Sequence, residues 1–524
     1  MGSANSTPRK PATTSTTEKR SVMTVTQVEH RPDAAAAADL LAQLNLRTSS
    51  SRPSASITLD SLKAWEADFA SNPKHRLAST VLSKSAFADV LVRREAQREA
   101  QQVFNVKLSN EGKPITNQKS SGRCWLFSAT NYLRVMLARK LDLDEFQFSQ
   151  SYLFFVDSKK GSLTGLSKAN YFLENMLDLA DTPLDDRLVQ NLMSEPENDG
   201  GQWDMLVNLL DTFGLVPQAV YPESTNSSAT GRLDALLTAK LREYALELRT
   251  LHDAALESLS ETHKGRPYGE RKALAAQSAR KRKDEQLAEV YRILAITLGQ
   301  PPKPDDHFVW EYHDKKSSKY HRVETTPKQF YKDVGIDVSQ ALSLVNDPRH
   351  EYKTLMTVDR LGNVWGGRPV KYINAEIDLL KETAVKLLKA DIPVWFGCDV
   401  GKFSNTPLGI MSTKLWDFDE ALGVSLKMNK AQRLQTGESA MTHAMLLTAV
   451  NLDAEGKPTR WRVENSWGEE PGDKGYFVMT DDWFSEFVYQ IVADRKYISK
   501  ELTDVFDHGK ATVLPPWDPM GTLA

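Results

Sequence analysis

Gln118-Lys119-Ser120-Ser121-Gly122-Arg123-Cys124-Trp125-Leu126-Phe127-Ser128-Ala129-Thr130-Asn131-Tyr132-Leu133-Arg134-Val135-Met136-Leu137 is the stretch on which the fold turns. From Cys124 onward its bulky apolar residues recur at helical spacing, which predicts a central, mostly buried helix. Gly122, just before it, can supply a tight turn. Cys124 therefore opens the helix, and a helix N-terminus lowers a thiol pKa toward the reactive thiolate. Gln118 stands just upstream, where a side-chain amide can join the Cys124 backbone N–H in stabilising an oxyanion. Taken alone, a cysteine opening a buried helix is more often structural, so its partners decide the reading.

Two later segments supply partners. His443 lies in Met441-Thr442-His443-Ala444-Met445-Leu446-Leu447, at the entry to an apolar strand. Asn465 lies in Trp461-Arg462-Val463-Glu464-Asn465-Ser466-Trp467-Gly468. An asparagine amide can accept the imidazole N–H and fix the ring's tautomer, the role of the third group behind an activated nucleophile. Trp467 can shield that hydrogen bond from water. Singly, His443 reads as a core histidine and Asn465 as a turn residue.

Together, in this order, Gln118 to Ser128, the His443 strand and Asn465-Ser466-Trp467-Gly468 resemble the three signature blocks of papain-like cysteine peptidases. The resemblance implies Cys124 as nucleophile, His443 as its base, Asn465 as the group orienting the histidine, and Gln118 in the oxyanion hole. A fourth block, Asn198-Asp199-Gly200-Gly201-Gln202-Trp203-Asp204, is similar to the Gly-Gly wall that holds the substrate backbone in that family. Glycines permit close main-chain approach, and an extended peptide can pair there like an added strand. Without the other blocks it would read as an ordinary turn. The family's usual Cys-Gly-Ser-Cys-Trp has Ser121 at its first cysteine. Phe155-Val156-Asp157 leads to Ser158 where the disulfide partner normally stands, so both halves of that bridge are missing together.

Cys124 and His443 are 319 residues apart, against about 130–150 in ordinary papain-like enzymes. The excess includes a helical block at 231–300. That insertion, the absent disulfide and the ending Pro515-Pro516-Trp517-Asp518-Pro519-Met520-Gly521-Thr522-Leu523-Ala524 resemble the bleomycin hydrolase family, over about residues 58–524. The resemblance implies a homohexameric barrel, with the C-terminal tail (about 510–524) reaching the active-site cleft and the Ala524 carboxylate holding a substrate's free amine. It implies an aminopeptidase acting on peptides with a free N-terminal amine, and also on homocysteine thiolactone and bleomycin, without metal or organic cofactor. Substrate-binding residues are then Gly200, Gly201, Trp467 and Ala524. Some members bind nucleic acid through a basic channel.

The remaining sequence constrains these expectations. A formal net charge of −3 argues against whole-protein capture by nucleic acid or acidic membranes, though not against a local basic channel. Cys124 and Cys398 are the only cysteines, which favours a reducing compartment. Cys398, in Ile392-Pro393-Val394-Trp395-Phe396-Gly397-Cys398-Asp399, reads as an inert core thiol, and no Cys/His ligand cluster suggests zinc. No apolar run reaches the ~18 residues of a membrane span. A cytoplasmic location is expected.

Residues 1–57 are rich in Ser, Thr, Ala and Pro and read as a disordered extension, with one short amphipathic helix at Ala34 to Leu46. Met1-Gly2-Ser3-Ala4-Asn5-Ser6 fits a myristoylation pattern on Gly2. Arg9, Lys10, Lys19 and Arg20 give the same segment a weak mitochondrial transit character. A tail with no address is the third reading.

Helices are expected at Ser61 to Phe69, Ala86 to Gln102 and Gly231 to Leu298. In the last, Leu233, Leu237, Leu241, Tyr244 and Leu248 form one stripe, and charged Arg271 to Glu285 faces solvent or another subunit. Strands are expected at Pro393 to Cys398, Ala444 to Asn451, Thr459 to Glu464, Gly475 to Thr480 and Tyr489 to Ala493. Helices early and strands late make the fold class α+β, and the resemblance makes it a papain-like fold of a helical and a β-barrel-like lobe with a large helical insertion. Two other readings stay open: a nucleic-acid-binding protein, and an inactive oligomeric scaffold on a peptidase fold.

Overall fold

The structure is a computed structural model and describes residues 57–156 and 167–523. The helix expected at Ala34 to Leu46, the Gly2 site, Ser158 and Ala524 lie outside the described residues. The chain divides between Asn72 and Pro73. In the first unit the helix Leu59–Ser71 starts at Thr58, whose hydroxyl accepts the Ser61 backbone N–H, an N-cap of the usual kind.

In the second unit the principal helices are α1 (Cys124–Leu141), α2 (Ser167–Asp178), α3 (Trp203–Phe213), α4 (Gly231–Thr262), α5 (Tyr268–Leu298) and α6 (Ile377–Lys389). The strands that matter here are β1 (Ala341–Val345), β2 (Thr354–Val358), β3 (Tyr372–Asn374), β4 (Val394–Cys398), β5 (His443–Leu452), β6 (Pro458–Glu464), β7 (Tyr476–Thr480), β8 (Val488–Asp494) and β9 (Thr512–Leu514). They form one curved sheet in the order β9-β2-β3-β1-β8-β4-β5-β6-β7, extended by the short strands Ile410–Met411 and Ser404–Asn405. The expected α+β class holds, and all five expected strands are present.

Two apolar cores lie on either side of α1. Trp125, Leu126 and Leu133 pack with Leu153, Phe172, Leu206 and Tyr244 in a helical lobe. Leu344, Phe396, Met445, Trp461 and Phe477 fill the sheet lobe. Tyr132 packs against both cores, so α1 is the wedge between the lobes. This explains why its sequence is apolar almost all round: the helix has no solvent face over most of its length. Several of its buried polar side chains bond across to other segments. Asn131 donates to Thr116 Oγ1 and Glu464 Oε1, each at 2.9 Å, and Arg134 donates to Glu464 at 2.5 Å.

Three expectations need correction. The helix expected at Ala86 to Gln102 is two short helices, Phe87–Val90 and Arg94–Glu99. Between them Val92 bridges to Trp416 and Arg93 N–H binds the Leu415 carbonyl, so a tertiary strand-like contact overrides helical propensity. The block at Gly231 to Leu298 is a hairpin, α4 and α5, broken at His263–Pro267, where proline at the N-cap starts the second helix. The charged stretch Arg271 to Glu285 does not simply face solvent. Lys283 is buried and meets Glu174 at 2.6 Å, and Arg280 meets the same carboxylate at 2.9 Å, fastening α5 to α2. The expected stripe from Leu233 to Leu248 is buried throughout.

Candidate active site

Cys124 is the first residue of α1 and His443 the first of β5. Asn465 follows the last residue of β6, which pairs antiparallel to β5 with Glu464 opposite Leu446. The sheet thus delivers His443 and Asn465 side by side. Imidazole Nε2 and Asn465 Oδ1 are 2.9 Å apart, the orienting contact expected from the sequence. Because the asparagine oxygen can only accept, it fixes the Nε2–H tautomer and leaves Nδ1 free for a proton from elsewhere. Trp467 lies over this pair, its ring centroid 4.9 Å from that of the imidazole at 30°.

The thiol reaches the same place from the other lobe. Cys124 is 3% and His443 4% exposed. Backbone hydrogen bonds from Ala444, Trp125 and the cysteine itself favour the thiolate, so the sulfur touches the residue next to His443. The N-terminus of α1 has no side-chain cap: Arg123 at the N-cap is turned instead into a 2.9 Å ion pair with Glu223. Leu126 and Phe127 N–H groups bind the Arg123 carbonyl, which leaves the N–H groups of Cys124 and Trp125 for the sulfur or an incoming oxyanion. Burial pushes the thiol up to about 11 and the imidazole down to about 4. Neither group is favoured as a lone buried charge. Charge arises here by moving the proton from sulfur to ring, where thiolate and imidazolium offset each other's desolvation.

Gln118 is locked by bonds to Ser121 and Ser466. Its side-chain N–H donates to the Ser121 carbonyl at 2.6 Å, its side-chain oxygen accepts from Ser466 Oγ at 2.6 Å, and its backbone N–H binds the Ser466 carbonyl at 2.8 Å. A primary amide carries two N–H donors, so one remains for an oxyanion. Neither Ser121 nor Ser466 was assigned a task by sequence reasoning; their spacing carries no signal, because they act on a third residue rather than on substrate.

The Gly-Gly segment packs on Trp125, the residue after Cys124. A Cβ on Gly201 would lie 2.4 Å from the Trp125 ring, which excludes any side chain there. Gly200 accepts Lys168 Nζ at 2.5 Å on its carbonyl and donates its N–H to Asn198 at 2.6 Å. Trp125 Nε1 donates to the Asp199 carbonyl at 2.7 Å. Gly122 has an ordinary φ; its lack of a side chain serves contact with Asp199, whose Cβ would be 2.8 Å from an added Cβ. Cys398 is buried opposite His443 in the β4–β5 register, and burial raises its thiol well above the ordinary range. Among the described residues no group of His, Cys, Asp and Glu could hold a metal ion.

Gln202, fully buried, donates to the Thr522 carbonyl at 2.8 Å. The tail is held at further points. Asp518 meets Arg349 at 2.7 Å, the Met520 carbonyl accepts from Tyr372, and β9 pairs parallel with β2. An open cleft of ≈ 620 Å³ is lined by Lys168, Asn198 and Ala440 on the lobes and by Trp517, Thr522 and Leu523 of the tail.

Against known proteins, the model of the Peptidase C1-like family matches residues 56–521. Human bleomycin hydrolase is 44% identical over 464 residues, 87% of this chain and 96% of that protein. The Saccharomyces cerevisiae protein named cysteine proteinase 1, mitochondrial, is 42% identical over 482 residues, 90% of this chain and 94% of its own. The crystal structure of PepW from Lactobacillus rhamnosis matches with TM-score 0.80 at 41% identity, covering 90% of this chain and all of that one.

Proposed function

The chain belongs to the Peptidase C1-like family and is a cysteine peptidase of the bleomycin hydrolase type; from that premise we propose that Cys124, His443, Asn465 and Gln118 carry an aminopeptidase reaction gated by the chain's own C-terminal tail. The Cys124 thiolate attacks the carbonyl of the substrate's N-terminal residue. One Gln118 N–H and the Cys124 backbone N–H receive the oxyanion. His443, oriented by Asn465 at 2.9 Å, gives its proton to the leaving amine. Water deprotonated by His443 then hydrolyses the thioester, returning thiol and free acid. No step calls on a metal or organic cofactor.

The observation that carries the reading is the meeting of the two lobes: a thiol on α1 in contact with the backbone beside an asparagine-held histidine on β5. The N-terminal restriction is supported by Gln202, which follows the Gly200–Gly201 wall directly and holds the tail at Thr522. On this reading the Ala524 carboxylate pairs with the substrate's free amine. Bleomycin and homocysteine thiolactone belong to the same proposal as further acyl substrates. Assembly as a homohexamer and residence in the cytoplasm complete it, with mitochondrial or Gly2-acylated forms as variants. No helix among the described residues is long and apolar enough to cross a membrane.

The test compares an aminoacyl fluorophore with its N-acetylated twin, under reducing conditions, for wild type and Cys124→Ala. Cleavage of the free-amine substrate alone, lost in the variant while its melting transition persists, is expected. Cleavage of both substrates would remove the gating. Cleavage that survives Cys124→Ala would remove the nucleophile assignment.

A further inference from the structure

Asp199 touches the nucleophile's loop on both sides. Its Oδ2 accepts the Gly122 backbone N–H at 2.8 Å and a hydrogen bond from the Thr230 hydroxyl. Its main-chain carbonyl accepts the indole N–H of Trp125. The other carboxylate oxygen, Oδ1, is buried and has no hydrogen-bond partner. Nor has Oδ1 of Asp234, which is also buried and stands in the first turn of α4. The two carboxyl groups lie within hydrogen-bonding reach of each other. Two buried carboxylate oxygens facing each other can only repel, unless one of the groups carries a proton and donates it to the other.

We propose that Asp199 and Asp234 share a single proton and, so joined, act as positioning residues that fix Gly122 and thereby Cys124. An aspartate in a helix's first turn ordinarily serves that helix as an anion near its positive end. Asp234 instead faces a second carboxylate that holds the catalytic loop, so the helical insertion is tied to the nucleophile through one proton. The proposal rests on the reading of Cys124 as nucleophile.

The surroundings agree. Burial first, then the Asp199 charge, push Asp234 up to about 7, against a smaller opposing pull from Thr230 and Lys168. Lys168 comes from α2, with its ammonium 5.7 Å from the Trp125 ring centroid and bonded to the Gly200 carbonyl. Glu197 lines a small cavity with Lys168, Trp125 and Asp199. Arg123 is engaged by Glu223, and Cys124 lies close enough to Asp199 for that charge to disfavour its thiolate. The proton is therefore bound below about pH 7 and lost above it, leaving two like charges beside the loop.

Asp234→Asn tests this, because an amide N–H donates to Asp199 at every pH. Asp234→Ala removes the donor. For wild type, kcat/KM is expected to fall about threefold between about pH 6.5 and 8 relative to Asp234→Asn, as the shared proton leaves. Asp234→Ala is expected to lose about tenfold throughout, mainly in kcat. Identical profiles for Asn and Ala variants, or an Ala variant matching wild type, would overturn the proposal. Thermal midpoints carry the same test without turnover. A carboxyl raised on folding contributes stability that declines as pH rises from its unfolded value to its folded one and then levels. The midpoint of wild type minus that of Asp234→Asn should fall between about pH 4 and 7 and be flat above. A difference constant with pH overturns the shared proton, whether or not the protein proves to be a peptidase. Loss of turnover in wild type with the expected midpoints would instead sink only the peptidase reading.

Discussion

At the scale of single residues, the proposed mechanism makes Cys124 depend on His443 for reactivity. Burial holds the thiol up at about 11, and the three backbone hydrogen bonds around the sulfur do not reverse that. A raised thiol pKa means the neutral form below it and the thiolate only above. The charge at neutral pH must then come from proton transfer to His443, whose own burial makes it a poor lone cation. With His443→Gln, alkylation of Cys124 by iodoacetamide should become negligible near pH 7 and rise roughly tenfold per pH unit toward about pH 11. In wild type it should stay fast across the neutral range. Peptide mapping separates Cys124 from Cys398, which is buried and held neutral. A His443→Gln protein alkylated as fast as wild type at pH 7 would show that the helix N-terminus alone activates the sulfur.

Elements hold these residues at contact distance, and the strongest tie is the buried ion pair between α1 and β6. Arg134 and Glu464 are 1% and 0% exposed in their side chains and 2.5 Å apart. Glu464 also accepts from Asn131 at 2.9 Å and immediately precedes Asn465. Its burial pushes it up to about 7 against the pull of Arg134. Replacing Arg134 by methionine leaves a buried carboxyl without its cation, which costs about 3–5 kcal/mol. Denaturant unfolding should read that loss, and kcat should fall with it, because the Asn465 end of β6 loses its anchor to the nucleophile's helix. A stability change below about 0.5 kcal/mol would mean that the pair is not needed to hold the lobes in register. Much of this element scale was legible in the sequence. The period of α1, the apolar run of β5 and the Asn-Ser-Trp-Gly turn fixed where Cys124, His443 and Asn465 stand, because the first two open their elements and the third directly follows one. Local pattern carried no sign of the Arg134–Glu464 pair, of Ser121 and Ser466 on Gln118, or of Asp199 against Gly122. Apart from Ser121, three residues from Gln118, these link segments tens to hundreds of residues apart through single side chains. The break at Leu91–Arg93 was illegible for the same reason, since its cause is a contact with Leu415 and Trp416.

Over the whole molecule, the last described residues of the chain are held by segments far back along it. β9 adds in parallel to β2, Asp518 is pinned by Arg349, which also binds the buried Asp347 at 2.8 Å, and Thr522 is pinned by Gln202. Met520 between them is buried. A tail held only at its end would slide. One bolted at 518, 520 and 522 is restrained along its length, which is what the proposed selection for a substrate's first residue requires. Gln202→Leu keeps size and burial but loses the N–H to Thr522, and Arg349→Met releases Asp518. Neither side chain is proposed to touch the scissile bond. A charge-assisted contact to a substrate amine is worth about 1.5–3 kcal/mol, so its loss should lower the preference for free-amine over N-acetylated substrate by about tenfold or more. The preference is the quantity to read: kcat/KM on the free-amine substrate over that on its acetylated twin, for each variant and the pair. A double variant no looser than the worse single variant would place both anchors in one restraint on the tail, whereas additive loosening would make them independent. An unchanged preference in the double variant, with the protein folded, would mean that the tail's path through the cleft is set elsewhere and that these contacts only cover the core beneath it.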